Sequence, residues 1–228
     1  MTAVLAPQQQ AARIRLTALA LVPAPIVALA VMLAVTGAPL LWPMLIGAGG
    51  WLAALVLRQP VALIASRRLS QDATARLVGW FSGPAEEIVR VILVLLTVHA
   101  VQEAAWFGYG WATIEVVIIA VNVLAIAGLM TKDDPKSIEA RELLESQGML
   151  KTQNPLWSLL ERLSATALHL GFTLLLFAQP WLVLATIPAH SLTNMLAVKF
   201  GKTHLVLTEL GLALAGALVL ALGILAVA

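Results

Sequence analysis

Long apolar stretches separated by short polar segments dominate the sequence. A helix needs about 20 mostly apolar residues to cross a bilayer, and seven stretches of the chain approach or exceed that length. We therefore predict an all-α, polytopic transmembrane helical bundle of about seven spans, folded as a single membrane domain over residues 1–228. The predicted spans are residues 15–36, 40–65, 84–106, 109–130, 156–178, 181–199 and 204–228.

The polar segments between the apolar stretches also predict local structure. Because "LRQP" interrupts the second apolar stretch, we expect that helix to end near Leu57, with residues 65–81 lying along the membrane surface or forming a short half-helix. Residues 131–155 form the longest hydrophilic segment, and "SIEARELLESQG" within it has the pattern of a short amphipathic helix. We predict a solvated cytoplasmic connector here.

Composition supports a membrane protein. The chain is 61% hydrophobic and only 11% charged, whereas about a quarter of the residues in soluble domains are charged. It contains no cysteine, which excludes a disulfide framework and a thiolate metal site. Its net charge of +2 is too small to indicate a nucleic-acid partner. We expect an integral protein of a lipid bilayer, the bacterial cytoplasmic membrane.

Lysine and arginine predict the orientation, because these residues accumulate in cytoplasmic loops. With the N-terminus in the cytoplasm and the C-terminus outside, every basic residue except Arg90 and Arg162 falls in a cytoplasmic segment. The opposite loops, near residues 36–39, 99–108 and 178–181, contain none of the 14 lysines and arginines.

Ionisable side chains inside a bilayer are costly and commonly mark functional sites. The third predicted span begins with three of them. Pro84 suits the first turn of a helix, which places Glu86 about one turn in. Arg90 follows Glu86 by four residues, so we expect these two to pair, with Glu87 pointing roughly 100° away. A purely structural alternative is an ion pair that snorkels to the interface.

Three further spans carry polar groups at a similar depth. Glu115 has no basic neighbour in sequence, so it either has a partner from another helix or stays protonated. Glu161 and His169 lie on one stripe of the fifth span. His190 and Asn194 share a face of the sixth, so the amide can orient the imidazole or meet the same ligand. We predict that these groups line one water-accessible cavity open to the cytoplasm.

A carboxylate, two histidines and an asparagine in one cavity favour hydrolysis. A glutamate can take a proton from water as a general base. Histidines can bind zinc or stabilise the oxyanion of a tetrahedral intermediate. An asparagine amide can donate to the same oxyanion.

The order of these motifs resembles the CAAX-protease and bacteriocin-processing (CPBP) superfamily of intramembrane proteases. The resemblance runs over about residues 80–198, from the acids and arginine of "EEIVR", through a deep histidine at His169, to "HSLTN". Within that superfamily the chain is most similar to the YhfC-type family of intramembrane metalloproteases. The additional matches are "GYGWATIE" and "ERLSATALH".

The resemblance implies a role for each matched residue. Glu86 would activate water, and Glu87 and Arg90 would shape the site. The oxyanion would be stabilised by His169, His190 and Asn194, or in a metal-dependent version the two histidines would hold Zn²⁺.

Other matched positions support or modify this interpretation. Glu115 and Glu161 fall in the two YhfC-like elements and would support the site. Where the family element has a histidine, this chain has Trp111, which weakens a metal site that uses the fourth span. The superfamily's phenylalanine four residues before His169 is Ala165 here.

The leading hypothesis is an intramembrane endopeptidase that cleaves a membrane-embedded or membrane-adjacent peptide from the cytoplasmic side. Two other functions stay open. The superfamily is distantly similar to the multi-pass scaffold subunit of gamma-secretase, so the polar residues could serve assembly alone. A small transporter could instead use the acids to bind cations or protons, although the chain shows no repeated half.

Overall fold

The computed structural model describes residues 6–146, 150, 154–201 and 203–228, and α-helices form most of this part of the chain. The described residues contain no strand, which confirms the predicted all-α class. A short 3₁₀ turn, Pro180–Leu182, precedes the eighth helix. The α-helices are α1 (Pro7–Leu21), α2 (Pro23–Thr36), α3 (Leu41–Ser66), α4 (Gln71–Thr97), α5 (Val101–Leu129), α6 (Pro135–Ser146), α7 (Pro155–Ala178), α8 (Val183–Phe200) and α9 (Leu205–Val227).

Six helical segments of the described chain are long and apolar enough to cross a membrane. They are α1 with α2, α3, α5, α7, α8 with its 3₁₀ turn, and α9. Large apolar side chains cover the outer surface, and Leu214 is 72% exposed. Because large exposed apolar surfaces mark interaction with a membrane or a partner, the chain is an integral membrane protein. Helix α4 has 27 residues, but its apolar stretch carries Glu86, Glu87 and Arg90.

The first span is longer than predicted and consists of two helices. Residues 7–36 form one 30-residue segment rather than the predicted 15–36. The segment divides at Val22, because Pro23 has no backbone N–H to donate to the preceding turn. Tyr109 of α5 donates its hydroxyl to the carbonyl of Pro25 at 3.1 Å, which ties this segment to the bundle.

Two predicted interruptions are wrong. Helix α3 continues through "LRQP" to Ser66 instead of ending near Leu57, with Pro60 inside the helix. Residues 65–81 form no separate half-helix, because α4 runs without a break from Gln71 to Thr97. Pro84 therefore lies in the interior of α4 rather than in its first turn. A proline inside a membrane helix is tolerated where a neighbouring helix satisfies the freed carbonyl.

The predicted division between the third and fourth spans is also wrong. The turn lies at residues 98–100, so α5 begins at Val101 and "GYGWATIE" lies inside this helix. The carboxylate of Glu103 accepts the backbone N–H of His99 at 2.7 Å and satisfies a donor in the turn before the helix. The glycines of this motif resemble a loop in sequence, but they serve helix packing.

Gly47 and Gly110 allow α3 and α5 to approach closely. A Cβ on Gly110 would overlap the backbone of Met44, and a Cβ on Gly47 would overlap the backbone of Phe107. Small residues at crossings let membrane helices come into backbone contact. This crossing brings the polar face of α3 beside α5, where the candidate site lies.

The connector contains a helix, as predicted. Helix α6 lies within residues 131–155, and Asp134 accepts the backbone N–H of Ser137 at 3.1 Å at its start. Arg141 donates to the carbonyl of Met130 at 3.1 Å and joins α6 to the end of α5. Residues 147–149 and 151–153 of the predicted connector lie outside the described residues.

We predict that Gly110→Ala lowers the stability of the protein, because the added methyl group meets the backbone of α3. Overpacking of this kind costs about 1–3 kcal/mol. Gly49→Ala is the matched control, since a Cβ at Gly49 meets no atom within 4 Å and alanine is the better helix former. Thermal unfolding in detergent, followed by circular dichroism, measures both. Equal stability of the two variants would contradict the proposed close crossing.

Candidate functional site

A polar cavity of about 240 Å³ lies among α3, α4, α5, α7, α8 and α9. His169, His190 and Asn194 line it, which confirms that these residues face a common space. The side chain of Glu161 is 39% exposed, so it lies at the accessible end of the cavity. The charged lining consists of Glu86, Glu115, Glu161, Arg58 and Arg162.

The junction of α4 and α8 is built around Pro84. Because proline lacks an N–H, the carbonyl of Trp80 has no donor one turn later in its own helix. The hydroxyl of Ser191 on α8 donates to this carbonyl at 2.7 Å. A Cβ on Gly83 would meet Ser191, so the two helices touch closely at this point. The junction holds His190, the residue before Ser191, against α4.

Glu87 joins this junction to the centre of the bundle. Its carboxylate is completely buried and lies 3.2 Å from the guanidinium of Arg90, three residues along α4. The same oxygen lies 2.7 Å from Nδ1 of His190. Glu87 therefore pairs with Arg90, which corrects the prediction of a Glu86–Arg90 pair. Both acids are buried in α4, but Glu86 lines the cavity beside Arg58 of α3, which leaves Glu87, three residues before Arg90, as the partner of Arg90.

Arg90 is fully buried and connects α4 to α7. It donates to the carbonyl of His169 at 3.1 Å, to the hydroxyl of Thr173 at 3.0 Å, and to Nδ1 of His169 at 2.9 Å. Its guanidinium also lies over the ring of Trp111, 4.3 Å from the ring centroid. Such a cation–π contact gains strength when both partners are removed from water.

A second ionic group joins α5 to α7. Glu115 Oε2 lies 2.5 Å from Nε2 of His169, and Glu115 Oε1 accepts from Arg162 at 2.7 Å. Arg162 also donates to Glu161. Of the two alternatives predicted for Glu115, a partner from another helix is confirmed. The carboxylate that contacts His169 is Glu115 rather than Glu161, although Glu161 shares the predicted stripe.

Glu86 stands apart from these pairs and lines the cavity. Its Oε1 lies 3.4 Å from the guanidinium of Arg58 on α3. Its Oε2 accepts the indole N–H of Trp111 at 3.3 Å and lies 3.7 Å from Nε2 of His190. The last distance is too long for a hydrogen bond, but one water molecule could contact both atoms.

The contacts assign opposite tautomers to the two histidines. An arginine can only donate, so Nδ1 of His169 accepts from Arg90 and its Nε2–H donates to Glu115. In neutral His190 the order is reversed, because its Nδ1–H donates to the carboxylate of Glu87. In this form the Nε2 lone pair of His190 is left for a ligand of the cavity.

Of the two roles predicted for Asn194, orienting the imidazole of His190 is wrong, whereas a common ligand with His190 stays a prediction. Its side-chain amide donates to the hydroxyl of Ser82 at 2.9 Å. It shares the cavity with His190 but serves the junction of α4 and α8. The ring of His190 is held instead by Glu87 and by Phe172, whose ring stacks on it at 5.7 Å between centroids.

Sequence reasoning missed the contacts of Arg58 and Trp111. The predicted end of the second span near Leu57 places Arg58 in a cytoplasmic segment, away from Glu86. The sequence did contain a signal that Arg58 lies within a span, since it falls inside a long apolar run. Trp111 was treated as a departure from the family motif, yet it contacts both Glu86 and Arg90.

The side chains whose atoms are best placed to bind a metal together are not the predicted pair, His169 and His190. Glu86, Glu115 and His169 offer atoms within 4.8 Å of one another, whereas His190 faces Glu86 with Nε2. Each member of this group already contacts an arginine: Arg58, Arg162 and Arg90 respectively. Three guanidinium groups around a divalent cation are electrostatically unfavourable, so these residues fit a Zn²⁺ ion poorly.

Comparisons with protein-family models, with curated proteins and with solved structures each found no match to this chain.

We predict that nuclear magnetic resonance of ¹⁵N-labelled histidine finds Nε2–H in His169 and Nδ1–H in His190. The chain has four histidines, and His99 and His204 are exposed. A His99→Gln, His204→Gln variant therefore leaves only the two core rings to observe. Two rings protonated on the same nitrogen would contradict the assigned hydrogen bonds.

Proposed function

We propose that this protein is an intramembrane endopeptidase that hydrolyses a peptide bond of a membrane-associated protein or peptide with water activated by Glu86. The observation that carries the proposal is the position of Glu86. It is the buried carboxylate that lines the cavity beside the free Nε2 of His190. A base needs to lie within hydrogen-bond reach of the water that it deprotonates, and this geometry leaves room for one.

The reaction follows from the contacts of Glu86. A water bound between Glu86 and His190 transfers a proton to Glu86 as its oxygen attacks the carbonyl carbon of the peptide. The carbonyl π electrons move to the oxygen and form the oxyanion. Glu86 then returns the proton to the amine, the C–N bond breaks, and a carboxylic acid and an amine leave. Glu87 acts through His190, whose ring it orients.

A seven-span topology with the N-terminus in the cytoplasm accounts for the position of the site. In this arrangement α4 crosses the membrane in addition to the six apolar segments, as the third span in chain order. Neighbouring helices rather than lipid cover its charged residues Glu86, Glu87 and Arg90. The exposed end of the cavity at Glu161 lies six residues after the start of α7. That end faces the side on which the basic turns collect, so the site would open to the cytoplasm of a bacterial cell.

An apolar cavity of about 480 Å³ between α8 and α9 supports a substrate that comes from the membrane. It shares Thr193, Ala197 and Leu212 with the lining of the polar cavity. Peptide segments could pass through this gap from the lipid to Glu86. The substrate class would then be a membrane-embedded or membrane-adjacent polypeptide.

The resemblance to the YhfC-type family supports the same function with a modified site. Trp111 occupies the place of the family's histidine and donates to Glu86. A hydrogen bond to the ionised carboxylate favours the form that acts as a base. Within this proposal Trp111 is a positioning residue for Glu86, and the water is activated without a metal.

A scaffold function is the second candidate, and one observation favours it. Every ion pair of the cluster except Glu87–Arg90 and Glu161–Arg162 joins two different helices. Such pairs could serve only to hold the helices together for assembly with another subunit.

We predict that Glu86→Gln reduces cleavage at least a hundredfold, because a general base contributes about 10²–10⁴ to the rate. Reconstituted protein is incubated with a pool of membrane peptides in H₂¹⁸O, and new carboxyl termini carrying ¹⁸O are counted by mass spectrometry. Glu139→Gln, on the exposed face of α6, is the matched control. Undiminished cleavage by Glu86→Gln would refute Glu86 as the base, and no cleavage by the wild type would refute the peptidase. A stable partner retained by Glu86→Gln, without cleavage by the wild type, would establish the scaffold.

We also predict that removal of divalent metals leaves activity unchanged within about twofold. The reason is that the acids and His169 are held by arginines that disfavour a cation. The measurement is cleavage before and after dialysis against 1,10-phenanthroline, together with elemental analysis of the purified protein. A zinc protease treated in parallel serves as the positive control. Stoichiometric zinc, with activity lost on chelation and restored by zinc, would favour the metal-dependent mechanism.

A further inference from the structure

Most of the donors expected to stabilise an oxyanion are already engaged. Both ring nitrogens of His169 have partners, and the Asn194 amide, which has two N–H groups, gives one of them to Ser82 and keeps a single N–H. Neutral His190 donates through Nδ1 to Glu87, which leaves an acceptor rather than a donor at Nε2. The hydrolysis proposed above therefore needs other donors near Glu86.

Two buried donors on α3 lack partners. The indole Nε1 of Trp51 and the Nε of Arg58 have no hydrogen-bond partner among the described residues. Trp51 is 4% exposed, and both residues line the polar cavity. They lie seven residues apart, about two helical turns, so they share one face of α3. The guanidinium of Arg58 lies 6.0 Å from the centroid of the Trp51 ring.

Unpaired buried donors are rare and call for an explanation, because each forfeits the hydrogen bond that it makes to water. Among the described residues, Arg90 Nε and Trp106 Nε1 are unpaired as well, but of these four residues only Trp51 and Arg58 line the cavity. Two unpaired donors on one helix face, in one cavity and beside an acid are better explained by a ligand than by a packing defect. The ligand that such a pair recognises carries negative charge. The cavity's other unoccupied group, Nε2 of His190, can hold water next to that charge.

We propose that Trp51 and Arg58 form the oxyanion site of this cavity. The proposal rests on the hydrolytic function and deepens it. When Glu86 takes the proton from water, its negative charge disappears and a new charge forms on the carbonyl oxygen of the substrate. Arg58, which lies 3.4 Å from Glu86 in the resting site, then serves the oxyanion in place of the carboxylate. The indole N–H of Trp51 supplies the second donor.

An oxyanion site at Trp51 and Arg58 would affect ligand binding as well as the rate of hydrolysis. A phosphinate places a negative tetrahedral centre where an amide has a neutral planar one. Phosphinic dipeptides should therefore bind more tightly than the amide dipeptides with the same side chains. This preference should depend on Trp51 and Arg58, whereas binding of the neutral amide should not.

The test compares calorimetric binding of one phosphinic dipeptide and its amide counterpart to the full protein in detergent. Trp51→Phe and Arg58→Gln should each weaken phosphinate binding at least tenfold, the size of one charge-assisted hydrogen bond, and change amide binding less than twofold. Trp106→Phe is the matched control, because Nε1 of Trp106 is equally buried and unpaired but does not line the cavity. It should leave both affinities unchanged.

The remaining outcomes separate this inference from the proposed function. Equal losses for both ligands, or no loss, would overturn the oxyanion site even if the wild type cleaves peptides. Phosphinate binding that depends on Arg58 in a protein without cleavage activity would establish the anion site and overturn the peptidase. If Arg58→Gln does not fold, phosphinate binding by Trp51→Phe and Arg58→Lys tests the oxyanion site, since both variants preserve the bulk of the side chain. On a cleaved peptide, loss of one such donor should lower kcat about a hundredfold.

Discussion

The guanidinium of Arg90 is completely buried among apolar helices and donates to groups on α7 while it pairs with Glu87 on its own helix. Removal of one partner of such a buried pair costs about 3–5 kcal/mol, because the other charge is left uncompensated. The orientation of His169 depends on this arginine, as does the position of Glu87. Through Glu87 the constraint extends to His190, so both histidines of the cavity are set by one side chain.

Replacement of buried ion pairs by apolar side chains often leaves a protein equally stable or more stable. The cluster here is therefore poorly explained by stability alone. Some of its members also face the cavity with unpaired groups, notably Arg58 and Trp51 on α3. A cluster that served only assembly would be more stable if the donors of Arg58 and Trp51 had hydrogen-bond partners. Arg90 and Glu87 lie outside the cavity lining, whereas Glu86, Arg58 and Trp51 line it, which is the arrangement expected of a site with a fixed base and a variable ligand.

Irregular sequence features are used here to join helices. Pro84 frees the carbonyl of Trp80, which accepts a hydrogen bond from Ser191 on α8. Of the two glycines of "GYGWATIE", Gly110 admits the backbone of α3 and Gly108 faces α7, and neither lies in a loop. Trp111, which differs from the resembling family's histidine, fills the space between Glu86 and Arg90. Each of these residues breaks a local rule of sequence and is compensated by a contact from another helix.

The sequence by itself determined the all-helical membrane class and most of the polar residues that face one cavity, Arg58 excepted, because apolar length and the rarity of intramembrane charges are local properties. It also indicated that Glu115 either has a partner from another helix or stays protonated. The partners themselves were decided by tertiary structure. Arg58 reaches Glu86 because α3 continues beyond Leu57 and through Pro60, and Glu87 rather than Glu86 then pairs with Arg90. Helix continuity at a proline depends on donors from other helices, and no local pattern contains that information.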